Sequence, residues 1–201
     1  MIPKRLFDLF VSGIGLLLLS PLLVAVAVAI KLDSPGPVFF RQVRIGRAGK
    51  PFRIHKYRTM RVALSGETRE ITVGRDPRIT RIGHHLRRSK IDELPQLFDV
   101  FRGAMSIVGP RPEVPRYVEH YADSLRDIIL SVRPGITDES SLHFIDEAEL
   151  LSHQDDPECY YIEHIIPIKN SYHAKYVDNL SLSRDITILL NTLRRVLARV
   201  H

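Results

Sequence analysis

Cysteine is nearly absent from this chain, since Cys159 is the single one among 201 residues. One cysteine cannot form a disulfide within the chain, which excludes a disulfide-stapled secreted scaffold and favours a reducing compartment. Internal repeats and low-complexity tracts are lacking as well, which excludes a repeat architecture. A length of 201 residues with 44% hydrophobic content predicts one domain with a core, plus one additional element.

Acidic residues are fewer than basic ones, 23 against 29, which leaves a formal net charge of +6. A basic chain favours polyanionic partners, namely nucleic acid, an anionic membrane face or a phosphorylated substrate. Composition does not choose among these three partners, so the choice depends on local motifs.

Charged residues are absent from residues 9–30, an apolar run of 22 residues. In a helix such a run rises about 33 Å, enough to cross a hydrocarbon core of about 30 Å. Lys4 and Arg5 precede the run and small residues end it, as in a cleaved signal peptide. The run is long for that purpose, so the sequence favours a membrane element that stays in the protein.

Ser20 and Pro21 stand near the middle of the apolar run and predict a break in its helix. Pro21 removes the hydrogen bond to the carbonyl of Leu17, and the Ser20 hydroxyl can partly satisfy that carbonyl. Basic residues flank both ends of the run, whereas a straight span would leave one basic end outside the cell. The sequence therefore favours a re-entrant helix–break–helix anchor over residues 1–32 and a cytoplasmic-face domain over residues 33–201. A bent transmembrane span is the alternative.

The remaining pattern predicts an α/β (α+β) fold that is mostly helical with one small β-hairpin. Alternating residues predict strands over 38–45 and 51–58, joined by a turn at 46–50. Helices are predicted over 78–89, 92–103 and 115–132, with a loop over 61–76. The last helix carries an apolar stripe beside basic flanks, which either packs in the core or lies as an amphipathic helix in the membrane interface. The stripe consists of Ile186, Leu189, Leu190, Leu193, Leu197 and Val200.

Two adjacent carboxylates, Asp92 and Glu93, stand where a helix begins, because Pro95 is tolerated only in a first turn. This arrangement brings together a carboxylate nucleophile, a carboxylate metal ligand and the positive end of a helix dipole, which suits attack on a phosphate. In the alternative interpretation Asp92 only caps the helix and Glu93 is a favourable first-turn acid.

Basic residues lie close to this carboxylate pair in the sequence. Arg87, Arg88 and Lys90 precede it, Arg102 follows the helix, and Arg111 lies in a turn between two prolines. Arginine binds phosphate through two parallel hydrogen bonds, and several basic groups near two carboxylates suit a shared anionic ligand. The sequence therefore predicts a phosphate site here.

Five motifs occur in order along the chain, and together they resemble the bacterial sugar transferase family. The chain resembles the small, catalytic-core form of the monotopic polyprenyl-phosphate phosphoglycosyl transferases, including the Ser20–Pro21 break. The motifs occupy residues 40–46, 52–60, 92–97, 105–112 and 133–137.

The resemblance implies transfer of a sugar 1-phosphate from a nucleoside diphosphate sugar, with UDP expected, to polyprenyl phosphate. It implies two steps through a covalent phosphosugar–aspartate, with Asp92 as the nucleophile and Glu93 helping to hold Mg²⁺. Such an enzyme would initiate polysaccharide assembly at the cytoplasmic face of the bacterial inner membrane, without nucleic acid as a partner, and a homodimer is left open. Contacts to phosphate or substrate are expected from Lys56, Arg58, Arg88, Arg111, Arg133 and Asp185.

Two other classes remain compatible with the residues. One is a phosphohydrolase, or a different metal-dependent phosphotransferase, that uses the same carboxylate pair. The other is a non-enzymatic membrane-anchored protein that binds nucleic acid or anionic lipid.

The chain departs from the family pattern at Ala104, where relatives commonly carry an acidic residue, so any role of that acid does not carry over. Residues 138–158 are rich in acidic side chains. This region is interpreted either as an acidic surface loop or as a segment that shapes the nucleoside-sugar pocket.

Overall fold

The computed structural model describes residues 2–61, 71–74 and 76–200, and within them the fold is mostly helical. Most of the predicted loop over 61–76 lies outside the described residues. The strands pair as three short two-stranded sheets. They are β1 (Phe39–Phe40), β2 (Val43–Ile45), β3 (Pro51–Arg53), β4 (Lys56–Tyr57), β5 (Ser106–Val108) and β6 (Gly135–Thr137).

The helices range from single turns to the 32 residues of α1. Single 3₁₀ turns lie at Arg47–Gly49 and Ile91–Glu93, and a π-helical turn lies at Tyr161–Ile165. The α-helices are α1 (Ile2–Asp33), α2 (Arg81–Arg88), α3 (Gln96–Arg102), α4 (Pro115–Val118), α5 (Asp123–Leu130), α6 (Glu139–His143), α7 (Glu147–Ser152), α8 (Pro157–Tyr160), α9 (Ile166–Asp178) and α10 (Leu182–Val200).

Helix α1 is continuous through Pro21, whereas the sequence predicts an interruption at Ser20 and Pro21. The reason is that the carbonyl of Leu17, which loses its partner because Pro21 has no N–H, accepts a hydrogen bond from the Ser20 hydroxyl at 2.8 Å. The helix can therefore continue without leaving that acceptor unpaired. By length and composition α1 could cross a membrane, and no other helix of the described ranges passes that test.

Both halves of α1 contact the rest of the protein. Near its start, the Asp8 carboxylate accepts hydrogen bonds from the Ser106 hydroxyl and the Ile107 N–H of β5, both at 3.0 Å. In its second half, the carbonyl of Leu23 accepts a hydrogen bond from the Tyr57 hydroxyl at 2.6 Å. The opposite face is apolar and exposed along the whole helix. It includes Ile2, Leu6, Phe10, Ile14, Leu17, Leu18, Leu22, Val24, Val28 and Leu32.

The predicted β-hairpin is confirmed. Strand β1 pairs antiparallel with β4, and β2 pairs antiparallel with β3. Both pairs follow one register, in which Phe39 faces Tyr57 and Val43 faces Arg53, so they are two parts of one hairpin. The same register places Arg41 opposite His55, where the pairing is interrupted.

Helix α2 confirms the prediction over 78–89, but it begins at Arg81. The preceding residue, Thr80, supplies the N-cap, because its hydroxyl accepts a hydrogen bond from the N–H of Gly83 at 3.0 Å.

The single helix predicted over 115–132 is two helices, α4 and α5. The carbonyl of Val118, at the end of α4, accepts a hydrogen bond from the Arg126 guanidinium at 3.2 Å, so the chain can stop the first helix there. In this arrangement Tyr117 and Tyr121 lie in one buried cluster with Ile129.

Strands β5 and β6 are parallel neighbours, although they lie far apart in the sequence. They approach so closely at Gly135 that a Cβ atom there would lie 2.1 Å from the backbone nitrogen of Gly109. A side chain is therefore excluded at Gly135, and the two motifs at 105–112 and 133–137 are joined through this contact. The carboxyl ends of both strands meet at one edge.

The apolar stripe of α10 faces away from the domain, so the core-packing interpretation is wrong for most of it. Ile186 and Leu193 are exposed, whereas Ile188 on the other side of the helix is buried. The membrane-interface interpretation remains compatible with this exposed stripe. Sequence periodicity located the stripe but could not determine which side of the helix meets the core.

We expect Ser20→Ala to lower the free energy of unfolding by about 1–3 kcal/mol, because the Leu17 carbonyl loses its partner. In a Pro21→Ala background the same change is expected to have little effect, since the alanine N–H restores the helical bond. Chemical unfolding in detergent micelles measures both. Equal losses in the two backgrounds would show that Ser20 stabilises α1 by another route.

Candidate active site

The predicted carboxylate pair lies in the 3₁₀ turn directly before α3. Lys90 precedes this turn with a left-handed backbone, φ 58°. Pro95 occupies the N-cap position of α3 without a side-chain cap. Asp92 therefore does not cap the helix, and the interpretation of the pair as ordinary capping residues is wrong. The backbone at Lys90 instead turns Asp92 and Glu93 inward, where both are buried.

Asp92 is 2% exposed, and its two carboxylate oxygens have different surroundings. Oδ2 lies 3.0 Å from Nζ of Lys56. Oδ1 is buried and has no hydrogen-bond partner within the described part of the chain. An unpaired buried carboxylate oxygen is costly, which makes it a candidate position for a ligand or a reacting group.

Glu93 is paired with two cations. Its carboxylate receives both terminal nitrogens of Arg111, at 2.5 and 3.2 Å, and Nζ of Lys56 at 3.1 Å. Burial would raise the pKa of Glu93, but the charges of Arg111 and Lys56 outweigh it and hold this pKa well below its usual value of 4.5. The same pairing raises the pKa of Arg111. Glu93 is therefore an anion in the folded protein.

Arg111 lies in the loop that leaves β5, and this loop is held by buried contacts. Arg44 of the hairpin donates to the carbonyl of Pro112 at 3.1 Å. The next residue, Glu113, accepts a hydrogen bond from the Tyr161 hydroxyl at 2.7 Å. The sequence analysis did not identify Glu113 or Tyr161, because a single glutamate after a motif and a tyrosine 48 residues later carry no pattern that marks them as partners.

The structure brings Lys56 and Arg111 to the carboxylate pair, but three other predicted phosphate ligands have other partners. Arg58 is buried and donates to the carbonyls of Ser34 and Pro35, which closes the turn after α1. Arg88 donates to the carbonyl of Arg199 in α10 at 2.8 Å. Arg133 donates to the carbonyl of Gly103 at 2.8 Å. Contact of these three arginines with substrate stays a prediction.

Asp185 lies at the start of α10 and is 1% exposed. Its carboxylate pairs with Nζ of Lys4 at 2.5 Å and accepts a hydrogen bond from the Tyr176 hydroxyl at 2.7 Å. Lys4 also donates to the carbonyl of Val108 at 2.9 Å, at the end of β5. Asp185 therefore joins α1 and α10 to β5, and its predicted role toward substrate stays a prediction.

The acidic region begins with a buried carboxylate, because Asp138 is 2% exposed and caps α6. Burial would raise the pKa of Asp138, but hydrogen bonds from His173 and Ser140 hold it well below its usual value. Asp138 follows β6 at the edge where Arg111 follows β5, and its charge contributes to the raised pKa of Arg111. Ala104, in the turn after α3, offers a methyl group that cannot bind a metal.

This arrangement suits an anionic ligand that binds together with a cation. One carboxylate oxygen of Asp92 is buried without a hydrogen-bond partner among the described residues, while two basic side chains neutralise the pair. No group of three or more His, Cys, Asp or Glu side chains that could hold a metal occurs among the residues the structure describes. Mg²⁺ sites that handle phosphates often use one or two carboxylates and complete the shell with phosphate oxygens and water. A carboxylate pair therefore fits such an ion only together with a phosphorylated ligand.

Comparison with known proteins agrees with this chemistry. Residues 1–199 match the family model described as bacterial sugar transferase. A UDP-glucose:undecaprenyl-phosphate glucose-1-phosphate transferase of Escherichia coli (strain K12) is 45% identical over 136 residues, which cover 67% of this chain and 29% of that protein. The protein of the same name from Xanthomonas campestris pv. campestris is 39% identical over 201 residues, covering 98% of this chain and 39% of the relative.

A shorter relative is covered more fully. The exopolysaccharide production protein PSS of Rhizobium leguminosarum bv. phaseoli is 54% identical over 151 residues, which cover 67% of this chain and 70% of that protein. The chain spans less than half the length of the Escherichia and Xanthomonas relatives.

We expect Arg111→Met to raise the pKa of Glu93. Burial disfavours the ionised carboxylate, and the variant has less positive charge nearby to offset that effect. In the unchanged protein, stabilisation by ionised Glu93 is present above pH 4.5 and is lost only as the pH falls through its lowered pKa. In the variant this loss moves to higher pH. Carbon-13 NMR titration of labelled glutamate carboxyls measures the shift.

Arg116→Met is the control for this titration, since it removes an exposed ion pair with Glu158. It should leave the titration of Glu93 unchanged. An unchanged Glu93 titration in Arg111→Met would mean that Lys56 alone keeps the carboxylate ionised.

Proposed function

The chain belongs to the bacterial sugar transferase family, and we propose that it transfers a sugar 1-phosphate from a UDP-sugar to polyprenyl phosphate, with release of UMP. The observation that carries this proposal is the buried, unpartnered Oδ1 of Asp92 beside Lys56 and Arg111. The names of the Escherichia and Xanthomonas relatives support the same reaction class and the same kind of lipid acceptor.

The reaction proceeds in two steps on one phosphorus atom. In the first step, Oδ1 of Asp92 attacks the sugar-bearing phosphorus of the donor, a P–O bond to Asp92 forms, and the P–O bond to UMP breaks. In the second step, a phosphate oxygen of polyprenyl phosphate attacks the same phosphorus, and the bond to Asp92 breaks. The carboxylate is regenerated, so atoms and charge balance. A carboxylate is an anion at neutral pH, so the first step requires no general base.

The attacking carboxylate of Asp92 and the donor diphosphate are both anions, so the site needs basic residues to bring them together. Lys56 holds Oδ2 of Asp92, which leaves Oδ1 as the attacking oxygen. Arg111 can bind the donor diphosphate through two parallel hydrogen bonds, since its guanidinium already makes such a pair with Glu93. Both cations also reduce the repulsion that opposes the attack.

Magnesium fits the site through Glu93, aided by the donor phosphates. When bound, Mg²⁺ would supply neutralisation of the diphosphate and of the departing UMP. Glu93 would give up part of its pairing with Arg111 and Lys56 to hold the ion. Arg111 would then be available to the phosphates, while Lys56 would keep its contact with Oδ2 of Asp92.

The attachment of α1 supports a re-entrant anchor rather than a span. Lys4 and Asp8 bind the β5 region, and the other end of the helix is held where Asp33 accepts a hydrogen bond from the N–H of Ile82 at 3.2 Å. Both ends of α1 thus contact one domain. A straight span would separate them by a bilayer core of about 30 Å.

In this arrangement residues 1–32 form the anchor and residues 33–201 the catalytic domain at the cytoplasmic face of the inner membrane. The exposed apolar faces of α1 and α10 would contact lipid. The site would then lie near headgroup height, where the acceptor phosphate is confined, so the enzyme searches for its acceptor laterally. A homodimer remains a prediction.

Intact-protein mass spectrometry tests the two-step mechanism. Purified protein is incubated with Mg²⁺ and one UDP-sugar at a time, without lipid acceptor. We expect a mass increase of one sugar phosphate that disappears on addition of polyprenyl phosphate. Asp92→Asn should abolish the adduct, and Asp127→Asn, an exposed acid of α5, should retain it.

Release of UMP with polyprenyl phosphate present, but with no adduct from any donor, would contradict the covalent step and leave direct transfer. Equal release of sugar 1-phosphate or UMP with and without the lipid would mean that water is the acceptor. The protein would then be a phosphohydrolase that uses the same carboxylate pair.

Cysteine accessibility tests the topology. In a Cys159→Ser background, Ile2→Cys and Lys31→Cys place a thiol at each end of α1, where both native side chains are exposed. A re-entrant anchor predicts that a membrane-impermeant maleimide labels both positions in inside-out vesicles and neither in intact spheroplasts. Labelling of position 2 in spheroplasts would show that α1 spans the membrane.

A further inference from the structure

Asp99 and His55 form a buried contact that the proposed chemistry does not use. Asp99 lies in α3, is 3% exposed, and binds His55 of the hairpin twice. Its Oδ2 accepts the backbone N–H of His55 at 2.8 Å, and its Oδ1 lies 2.6 Å from Nδ1 of the His55 ring. A carboxylate only accepts hydrogen bonds, so Nδ1 carries a hydrogen.

The other side of the His55 ring is also occupied. Arg41, directly across the hairpin, approaches Nε2 at 2.7 Å. A guanidinium only donates, so Nε2 accepts and the ring is in its Nδ1–H form. Phe39 and Phe98 pack edge-on against the ring, with centroids at 6.3 and 5.3 Å. His55 is therefore held by two hydrogen bonds to its ring, one to its backbone and two aromatic contacts.

The residue after His55 is Lys56, whose ammonium bridges Asp92 at 3.0 Å and Glu93 at 3.1 Å. The contact of His55 with Asp99 and the contact of Lys56 with the carboxylate pair join the same two segments of chain. These segments are residues 55–56 of the hairpin and residues 92–99. His55 lies between β3 and β4, outside the paired strands, so its backbone and ring contacts with Asp99 fix the chain directly before Lys56.

We propose that Asp99 and His55 are positioning residues that hold Lys56 against Oδ2 of Asp92 and thereby keep Oδ1 as the attacking oxygen. A lysine side chain has four rotatable bonds and high conformational entropy, so it holds one geometry only when its backbone is fixed. Asp99 fixes that backbone through the N–H of His55. The effect on turnover rests on the proposed function, whereas the effect on Lys56 does not.

Chemical acetylation tests the placement of Lys56 without any substrate. The side chain of Lys56 is 22% exposed and its ammonium is held by two carboxylates, so it should react slowly with N-hydroxysuccinimide acetate. Lys50, exposed in the hairpin turn, is the internal reference. We expect Asp99→Ala to raise acetylation of Lys56 severalfold relative to Lys50, as measured by peptide mass spectrometry. Asp127→Ala should leave the ratio unchanged.

His55→Phe is the second variant, because it retains an aromatic ring between Phe39 and Phe98 while losing the Nδ1–H. It also keeps the backbone N–H that binds Asp99, so its Lys56 acetylation should lie between those of the unchanged protein and Asp99→Ala. This variant decides the proposal if Asp99→Ala fails to fold. Unchanged Lys56 acetylation in a folded Asp99→Ala or His55→Phe protein would overturn it.

Turnover measured as UMP release completes the test through a double-mutant cycle. Asp99→Ala should lower kcat by roughly 10- to 100-fold, as expected for a displaced site residue. In a Lys56→Ala background it should cause little further loss, because its target is gone. If the loss of kcat in the double variant equals the product of the two single losses, Asp99 acts independently of Lys56. If the unchanged protein releases no UMP, the proposed function fails while the acetylation ratio still decides the placement of Lys56.

Discussion

The bridge from Lys56 to two buried carboxylates is the interaction on which the rest of the site depends. Asp92 and Glu93 are both nearly inaccessible to water, and a buried anion without a cation would be strongly unfavourable. Lys56 and Arg111 supply that positive charge from separate parts of the chain. The hairpin, the turn before α3 and the loop after β5 must therefore meet at one place, and each is held there by further contacts.

Strand β5 links this site to the membrane element. Asp8 and Lys4 of α1 bind the backbone of Ile107 and Val108, directly before the loop that carries Arg111. Lys4 and other basic residues near α1 were interpreted as flanking charges that orient a membrane segment. In the structure Lys4 is an internal ligand that pairs with Asp185 as well. The attachment of α1 to the domain and the placement of Arg111 thus depend on the same strand, so α1 is an integral part of the fold.

The sequence predicted local structure well where the signal was itself local. The hairpin over 38–58, the helix that ends at Gly103 and the capping of Leu17 by Ser20 follow from alternation, a positive-φ glycine and a missing N–H. Other predictions differed because packing decides them. The segment 115–132 divides into two helices, and the Arg126 side chain donates to the Val118 carbonyl where the first one ends. The α10 stripe faces outward because the opposite side of α10 meets β5 and β6.

The amino-acid sequence by itself determined the chemistry of the site, because residue type and spacing specify a carboxylate pair before α3 and an arginine between two prolines. It also determined that a long apolar segment exists, but it predicted a break at Ser20 and Pro21 that the continuous helix α1 does not show. Only the tertiary structure decided which basic residues reach the carboxylates: Lys56 and Arg111 do, while Arg58, Arg88 and Arg133 bind backbone carbonyls elsewhere. The physical reason is that an arginine can donate its hydrogen bonds either to a phosphate oxygen or to a backbone carbonyl. The choice depends on which acceptor the fold brings within reach.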